Sequence, residues 1–215
     1  MITYFPDTQT HQKNGVHMKY LKSSTLAIAF LLPTVAHAEV PQGLTIFGSA
    51  GYVGASLDLT TTDTNESFTG LGKNDTATEF GVEYSFGGET SLAIGAKYLS
   101  GYDFFSFDTD EGQLDISDDG GYALYISPRV EIGESSLIFA TLGQIEADGE
   151  GSTGNETLTV DLEGNYYGFG IRTYFEEGTF LQVSAERVNY DSLTEGNLAM
   201  DAEATKGLIT FGVTF

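Results

Sequence analysis

The sequence predicts an all-β chain, eight antiparallel up-and-down strands closed into a barrel that spans a membrane. Three observations carry that prediction. Segments alternating with period two recur eight times over residues 39–215, and almost nothing there reads with a helical period. The connections between them are alternately short and long. The closing segment, Lys206–Phe215, sets Ile209, Phe211, Val213 and Phe215 on one face, which only protein or lipid can cover.

The front of the chain is set apart. Met18 to Lys22 is a short cationic stretch, and an apolar run follows from Leu26 to Val35. Ala36-His37-Ala38 then supplies a small-x-small cleavage pattern before Glu39. Residues 18–38 therefore read as a secretory signal peptide with Ala36 and Ala38 at the cleavage site, its apolar run too short to span a bilayer. Residues 1–17 read as an upstream extension from a misassigned start. Residues 39–215 form the barrel domain.

Each strand follows from its alternation. The first covers about Leu44–Leu59. The second, Thr76–Phe86, sets Phe80, Val82, Tyr84 and Phe86 on one face, and the third, Ser91–Tyr102, sets Leu92, Ile94, Ala96 and Tyr98. The fourth, Gly121–Ile132, carries Tyr122, Leu124, Ile126, Pro128 and Val130. The fifth, Ser136–Glu146, has an ambiguous phase. Gln144 and Glu146 favour Leu137, Phe139 and Ile145 on its lipid face. The sixth, Asn165–Phe175, carries Tyr167, Phe169 and Ile171, and the seventh, Phe180–Tyr190, carries Leu181, Val183 and Ala185. Lys206–Phe215 closes the barrel against the first.

Gly87-Gly88-Glu89-Thr90, Gly133-Glu134 and Glu176-Glu177-Gly178-Thr179 suit tight hairpin turns. The other connections, about 60–75, 103–120, 147–164 and 191–205, are long and polar and read as solvated acidic loops. Short turns at one end and long loops at the other fit an outer-membrane barrel with periplasmic turns and extracellular loops. No run of 18 apolar residues exists in residues 39–215 to make a helical span.

The faces opposite the apolar stripes collect small residues and charges of both signs. Glu83, Glu131 and Glu186 with Lys97, Arg129 and Arg172 are expected to pair inside the barrel, because charges removed from water persist only when paired and hydrogen-bonded. Arg187 falls on the outer face near the loop end, placed to meet a lipopolysaccharide phosphate. Tyr84, Phe86, Tyr98, Tyr102, Phe104, Phe105, Tyr167, Phe175 and Phe215 lie near strand ends, where aromatic girdles form at the membrane rims.

Composition excludes several classes. The formal net charge is −22, and −24 once Lys13, Lys19, Lys22 and Asp7 leave with the front, which argues against nucleic acid. There is no Cys, and His11, His17 and His37 all precede Glu39. Without His or Cys, and without a Ser-x-x-Lys or Gly-x-Ser-x-Gly at a strand end, no enzymatic activity and no cofactor are expected. Asp108-x-Asp110-x-Gly112 and Asp115-x-x-Asp118-Asp119 lack the spacing of a twelve-residue calcium loop, so they read as solvated loop acids and not as a metal site.

Several segments resemble the small eight-stranded outer-membrane barrels of the outer membrane protein A, X and opacity-protein kind. They are Tyr52–Leu57, Ile126–Val130, Tyr166-Tyr167-Gly168-Phe169-Gly170-Ile171-Arg172 and Phe211–Phe215. The resemblance runs over the whole of residues 39–215. It implies that Phe211, Val213 and Phe215 belong to the signal read by the barrel assembly machinery of a Gram-negative cell. The expected protein is a monomer in the cell outer membrane, surrounded by lipid and lipopolysaccharide. Its role would be structural or surface-interacting, toward an extracellular ligand that the sequence does not name. An eight-stranded barrel is filled by its own side chains. A narrow, porin-like ion-conducting channel is one alternative, and a soluble periplasmic ligand-binding barrel with its faces reversed is another.

Overall fold

The computed structural model describes residues 40–61, 67–109, 112–153, 156–175, 178–195 and 198–215. Eight strands follow one another in chain order. They are β1 (Gly43–Thr61), β2 (Ser67–Leu71 continuing as Asn74–Gly87), β3 (Thr90–Thr109) and β4 (Gly112–Glu131). Then come β5 (Ser136–Thr153), β6 (Glu156–Tyr174), β7 (Thr179–Tyr190 continuing as Leu193–Glu195) and β8 (Leu198–Thr214). Each pairs antiparallel with the next, and β8 returns to β1 with Thr45 opposite Thr214 and Thr61 opposite Leu198. That last ladder closes the sheet and leaves no open edge.

Within each strand the pleat sends successive side chains to opposite faces, and the apolar stripes point outward. Tyr52, Phe80, Tyr84, Leu124, Phe169 and Phe211 are all exposed on the outer surface, whereas Thr45, Ser49, Ser127, Gln182 and Thr210 point inward and are buried. Inside the closing seam, the Thr45 and Thr214 hydroxyls lie 2.8 Å apart and those of Ser49 and Thr210 2.9 Å.

The strands are longer than expected. The residues read as loops at 103–120 and 147–164 continue the ladders, with Thr109 opposite Gly112 and Thr153 opposite Glu156. The described parts of 60–75 and 191–205 are also largely paired. Polar composition misled here, because alternation persists through segments such as Thr157-Leu158-Thr159-Val160, and a continued ladder satisfies the backbone as well as water does. Strands β3 and β4 have 20 residues each, which at about 3.3 Å per residue spans roughly 66 Å. Tilted by about 45°, that is roughly 47 Å along the barrel axis, nearly twice the apolar band of about 25 Å.

Two side-chain phases also differ from expectation. On β5, Leu137, Phe139 and Ile145 point into the barrel, and Ile138 and Leu142 face outward. Both faces of that strand are apolar near the turn, so hydropathy alone does not set the phase. On β3, Lys97 and Leu99 point inward, but beyond Gly101 the phase flips and Tyr102 and Phe104 are buried inside instead of joining an outer girdle. The flip is shared with β4, where Gly120 (φ +101°) adopts a conformation that a side chain would oppose. The β4–β5 register shifts between Asp118 and Gly121. An irregularity of one residue is enough to exchange the faces. It also turns Asp118 inward, against its reading as a solvated loop acid. Phe105, Asp108, Asp110 and Asp115 lie outside the described side chains.

Candidate functional site

The inward positions nearest the turn end build two ionic knots. In the first, the Glu83 carboxylate accepts from Arg129 Nη2 and Arg172 Nη1, each at 2.6 Å, and from the Tyr125 hydroxyl at 2.9 Å. Arg172 Nε donates to Gln182 Oε1 at 2.9 Å, and its guanidinium lies 4.0 Å from the centre of the Phe180 ring. In the second knot, Lys97 Nζ reaches Glu79 at 2.8 Å and Glu186 at 2.6 Å, and Lys206 Nζ reaches the other Glu79 oxygen at 3.2 Å. All seven ionic side chains are buried. A small residue makes room for the ring that joins the first knot: a Cβ on Gly95 would stand 2.4 Å from Tyr125 Cζ.

Five of the six charges expected in the interior, Glu83, Lys97, Arg129, Arg172 and Glu186, lie in these knots. Glu131 does not. It is half-buried at the turn end, two residues past Arg129 where β4 stops. Glu79 and Lys206 take part without having been singled out. Period-two counting carries the signal for both, since Glu79 lies four residues before Glu83 and Lys206 four before Thr210, on the same faces. Phe211 and Phe215 are exposed on the outer surface with Val213 half-buried beside them. Ala36 and Ala38 lie outside the described residues.

Toward the hairpin end the interior changes character. Leu57, Phe104, Ile145, Leu162 and Val188 are buried there. The Phe104 ring meets Tyr102 and Tyr190 edge-on, with centroids 5.3 and 5.6 Å away. Tyr102 and Tyr190 hydroxyls lie 2.6 Å apart, and Tyr190 donates to Asp118 Oδ2 at 2.6 Å. The Gly120 backbone N–H donates to Asp118 Oδ1 at 2.7 Å, so this inward carboxylate is satisfied. On the outside of the same segments, Glu146, Asp148, Asp161 and Glu163 are exposed. Arg187 is there too, its guanidinium paired with Glu203 and bonded to Asn189.

The chemistry of the strands therefore inverts along their length. Near the turns the outside is apolar and the inside ionic, and near the hairpins the outside is acidic and the inside apolar. A closed sheet with an apolar outer belt and an ionic interior defines a membrane-spanning β-barrel, because lipid tolerates no unpaired backbone and no open edge. The chain belongs to the outer membrane protein beta-barrel domain family, whose model matches residues 21–215. Its place is the outer membrane, and a soluble periplasmic barrel is thereby set aside.

Among solved structures, the chain is similar to Ail, the attachment invasion locus protein of Yersinia pestis, at 13% identity over 80% of this chain and 100% of that chain, with a TM-score of 0.41. It is similar to Neisserial surface protein A at 9% identity over 79% and 97%, with a TM-score of 0.48. It is also similar to the outer membrane protease OmpT from Escherichia coli at 8% identity over 84% and 99%, with a TM-score of 0.49. Similarities this low carry no argument about activity. No curated protein matches the sequence.

Proposed function

We propose that the protein is a structural and surface-interaction barrel without enzymatic activity. In this reading the turn-end half sits in the outer membrane, with its turns toward the periplasm. The hairpin-end half stands outside the lipid as a stiff acidic extension. The observation that carries the reading is the filled interior. Ionic knots occupy one half and aromatic and aliphatic side chains the other, and a cavity between the knots has a volume of about 20 Å³. A space of that size holds one or two waters.

The partners follow from the surfaces. Lipid and lipopolysaccharide surround the apolar belt, the assembly machinery reads Phe211, Val213 and Phe215 during biogenesis, and an extracellular ligand meets the acidic face. A monomer suffices, since β8–β1 pairing leaves no strand edge to complete. Planar-bilayer recording of the refolded protein tests the reading against a narrow pore. No steady conductance is expected, and channels of uniform size would overturn it.

A further inference from the structure

We infer that Asp118, Tyr190 and Tyr102 form a proton-operated clasp, which holds the hairpin-end half together across its interior more tightly in acid than at neutral pH. Backbone pairing does not hold that half alone. Among the described residues the β2–β3 ladder ends at Glu79 opposite Leu99, and the β6–β7 ladder at Gly164 opposite Tyr190. Toward the hairpins from those points, β3 and β4 meet β7 through side chains. Tyr102 on β3 and Asp118 on β4 each lie 2.6 Å from the Tyr190 hydroxyl, and the Phe104 ring packs edge-on against both tyrosines. The Gly120 N–H that Asp118 also holds belongs to the turn of backbone where the faces of β4 exchange.

The surroundings of Asp118 favour its neutral form. The residue is only 3% exposed, and its carboxylate is held by a hydroxyl and a backbone N–H, with no ion pair among the described residues. Lys206 on β8 faces the cluster, 5.3 Å from the centre of the Tyr102 ring, but its ammonium is bound to Glu79 on β2. On β5, Ala147 and Gly149 run alongside and bring no charge. Burial without a cation in contact disfavours the charged form. The Asp118 carboxyl accordingly lies above its ordinary value, with burial the largest cause; hydrogen bonds from Tyr190 and Gly120, the charge of Lys206 and Tyr102 oppose it. Burial also holds the Tyr102 and Tyr190 hydroxyls well above theirs, so neither loses its proton near neutrality. The hydroxyl pair can follow the carboxyl proton. Ionised, Asp118 accepts from Tyr190; protonated, it donates to Tyr190, which turns its own proton to Tyr102. Because the folded value lies above the unfolded one, the clasp contributes fully below the ordinary carboxylate range and weakens as pH rises through the raised value. Between the two values opening releases one proton, so it becomes up to about tenfold easier per pH unit and changes no further above them.

Amide hydrogen exchange of the protein refolded into bilayers tests the clasp, read from about pH 4 to pH 7 as protection relative to the intrinsic rate. Protection around Gly120 and Tyr190 should fall with rising pH, by up to about tenfold per unit. Asp118→Asn carries a neutral group that accepts from Gly120 and donates to Tyr190. Its protection should stay flat and match that of the parent protein in acid. Tyr190→Phe removes a donor that favours the ionised carboxylate and should move the fall to higher pH, which preserves the test if Asp118→Asn fails to fold. Protection that is constant or rises with pH in the parent protein, or a fall that survives in Asp118→Asn, would overturn the proposal. The clasp rests on the hairpin-end half standing outside the lipid, which amine labelling of exposed Lys73 on intact cells checks separately. Label on Lys73 together with constant protection would sink the clasp and leave that placement standing.

Discussion

Glu83→Gln is the sharpest test of what holds the barrel interior together. The substitution keeps the shape of the side chain and removes its charge. Two guanidinium contacts of 2.6 Å would then end on a neutral amide, as would the 2.9 Å bond from Tyr125. Stranding one buried ion costs about 3–5 kcal/mol, and here two cations lose their shared partner. The expected loss is therefore at least about 3 kcal/mol, or on the order of a hundredfold in the folded-to-unfolded ratio. The chain has no Trp, so urea unfolding should be followed by the strand signal in circular dichroism and by heat-modifiable gel mobility. Glu131→Gln is the matched control, because Glu131 has the same inner-face parity but lies outside the knots. It should change stability by less than about 0.5 kcal/mol. Equal losses from the two substitutions, or a loss below about 1 kcal/mol from Glu83→Gln, would refute the assignment of Glu83 as the hub of an ionic knot.

Phe104→Ala should cost about 3–5 kcal/mol by opening the apolar hairpin-end core. Heat-modifiable mobility should survive while protease begins to cut the hairpins, and unchanged protease resistance would count against that core. Gly95→Ala should cost about 1–3 kcal/mol, read from the urea midpoint, because the added methyl meets the Tyr125 ring. A membrane-impermeant amine reagent on intact cells should label Lys73, which is exposed near the hairpin end, and spare buried Lys97 and Lys206. Absence of label on Lys73 would reverse the proposed orientation. Deleting Phe215 should lower outer-membrane levels more than it lowers the urea midpoint of refolded protein, and normal levels would argue against its role in assembly.

Much of the barrel is legible in the sequence because one face of each membrane-zone strand must satisfy lipid. That requirement imprints stripes such as Phe80-x-Val82-x-Tyr84 and Ile209-x-Phe211-x-Val213, and the parity of Glu83, Lys97, Arg129, Arg172 and Glu186 follows from them. Strand β5 carries no such stripe because the ionic knots do not fill the whole interior. Leu137 and Phe139 pack inward while Ile138 and Leu142 meet lipid, so both faces are apolar and neither period-two set is marked. The hairpin-end strands differ for another reason. Polar composition there reads as loop, although alternation continues through it. The inward turn of Tyr102, Phe104 and Asp118 was hidden by a local irregularity, which exchanges the faces without altering the composition.

The inversion of the two faces gives the lipid boundary a physical location on the chain. Along β8, Asp201, Glu203 and Thr205 point outward, and then Ile209, Phe211 and Val213 do so; inward, Ala202 and Ala204 give way to Lys206 and Thr210. The pleat does not change phase, so the solvent must. A carboxylate facing hydrocarbon would be prohibitive, and an aliphatic stripe facing water would be an exposed patch. The outer-face boundary must therefore fall between Thr205 and Ile209, and β1 agrees by pairing Tyr52 with Gly207 and Ser56 with Glu203. Lys206 sits at this level on the inside, next to Glu79, where the ionic interior meets the apolar core. Moving the boundary has a cost on both faces at once. Thr205→Leu should extend the lipid belt with little loss, whereas Phe211→Arg should block stable insertion, because an Arg in the midst of the belt costs about 2–4 kcal/mol. Equal membrane levels of these two variants would show that the inversion does not mark the edge of the lipid.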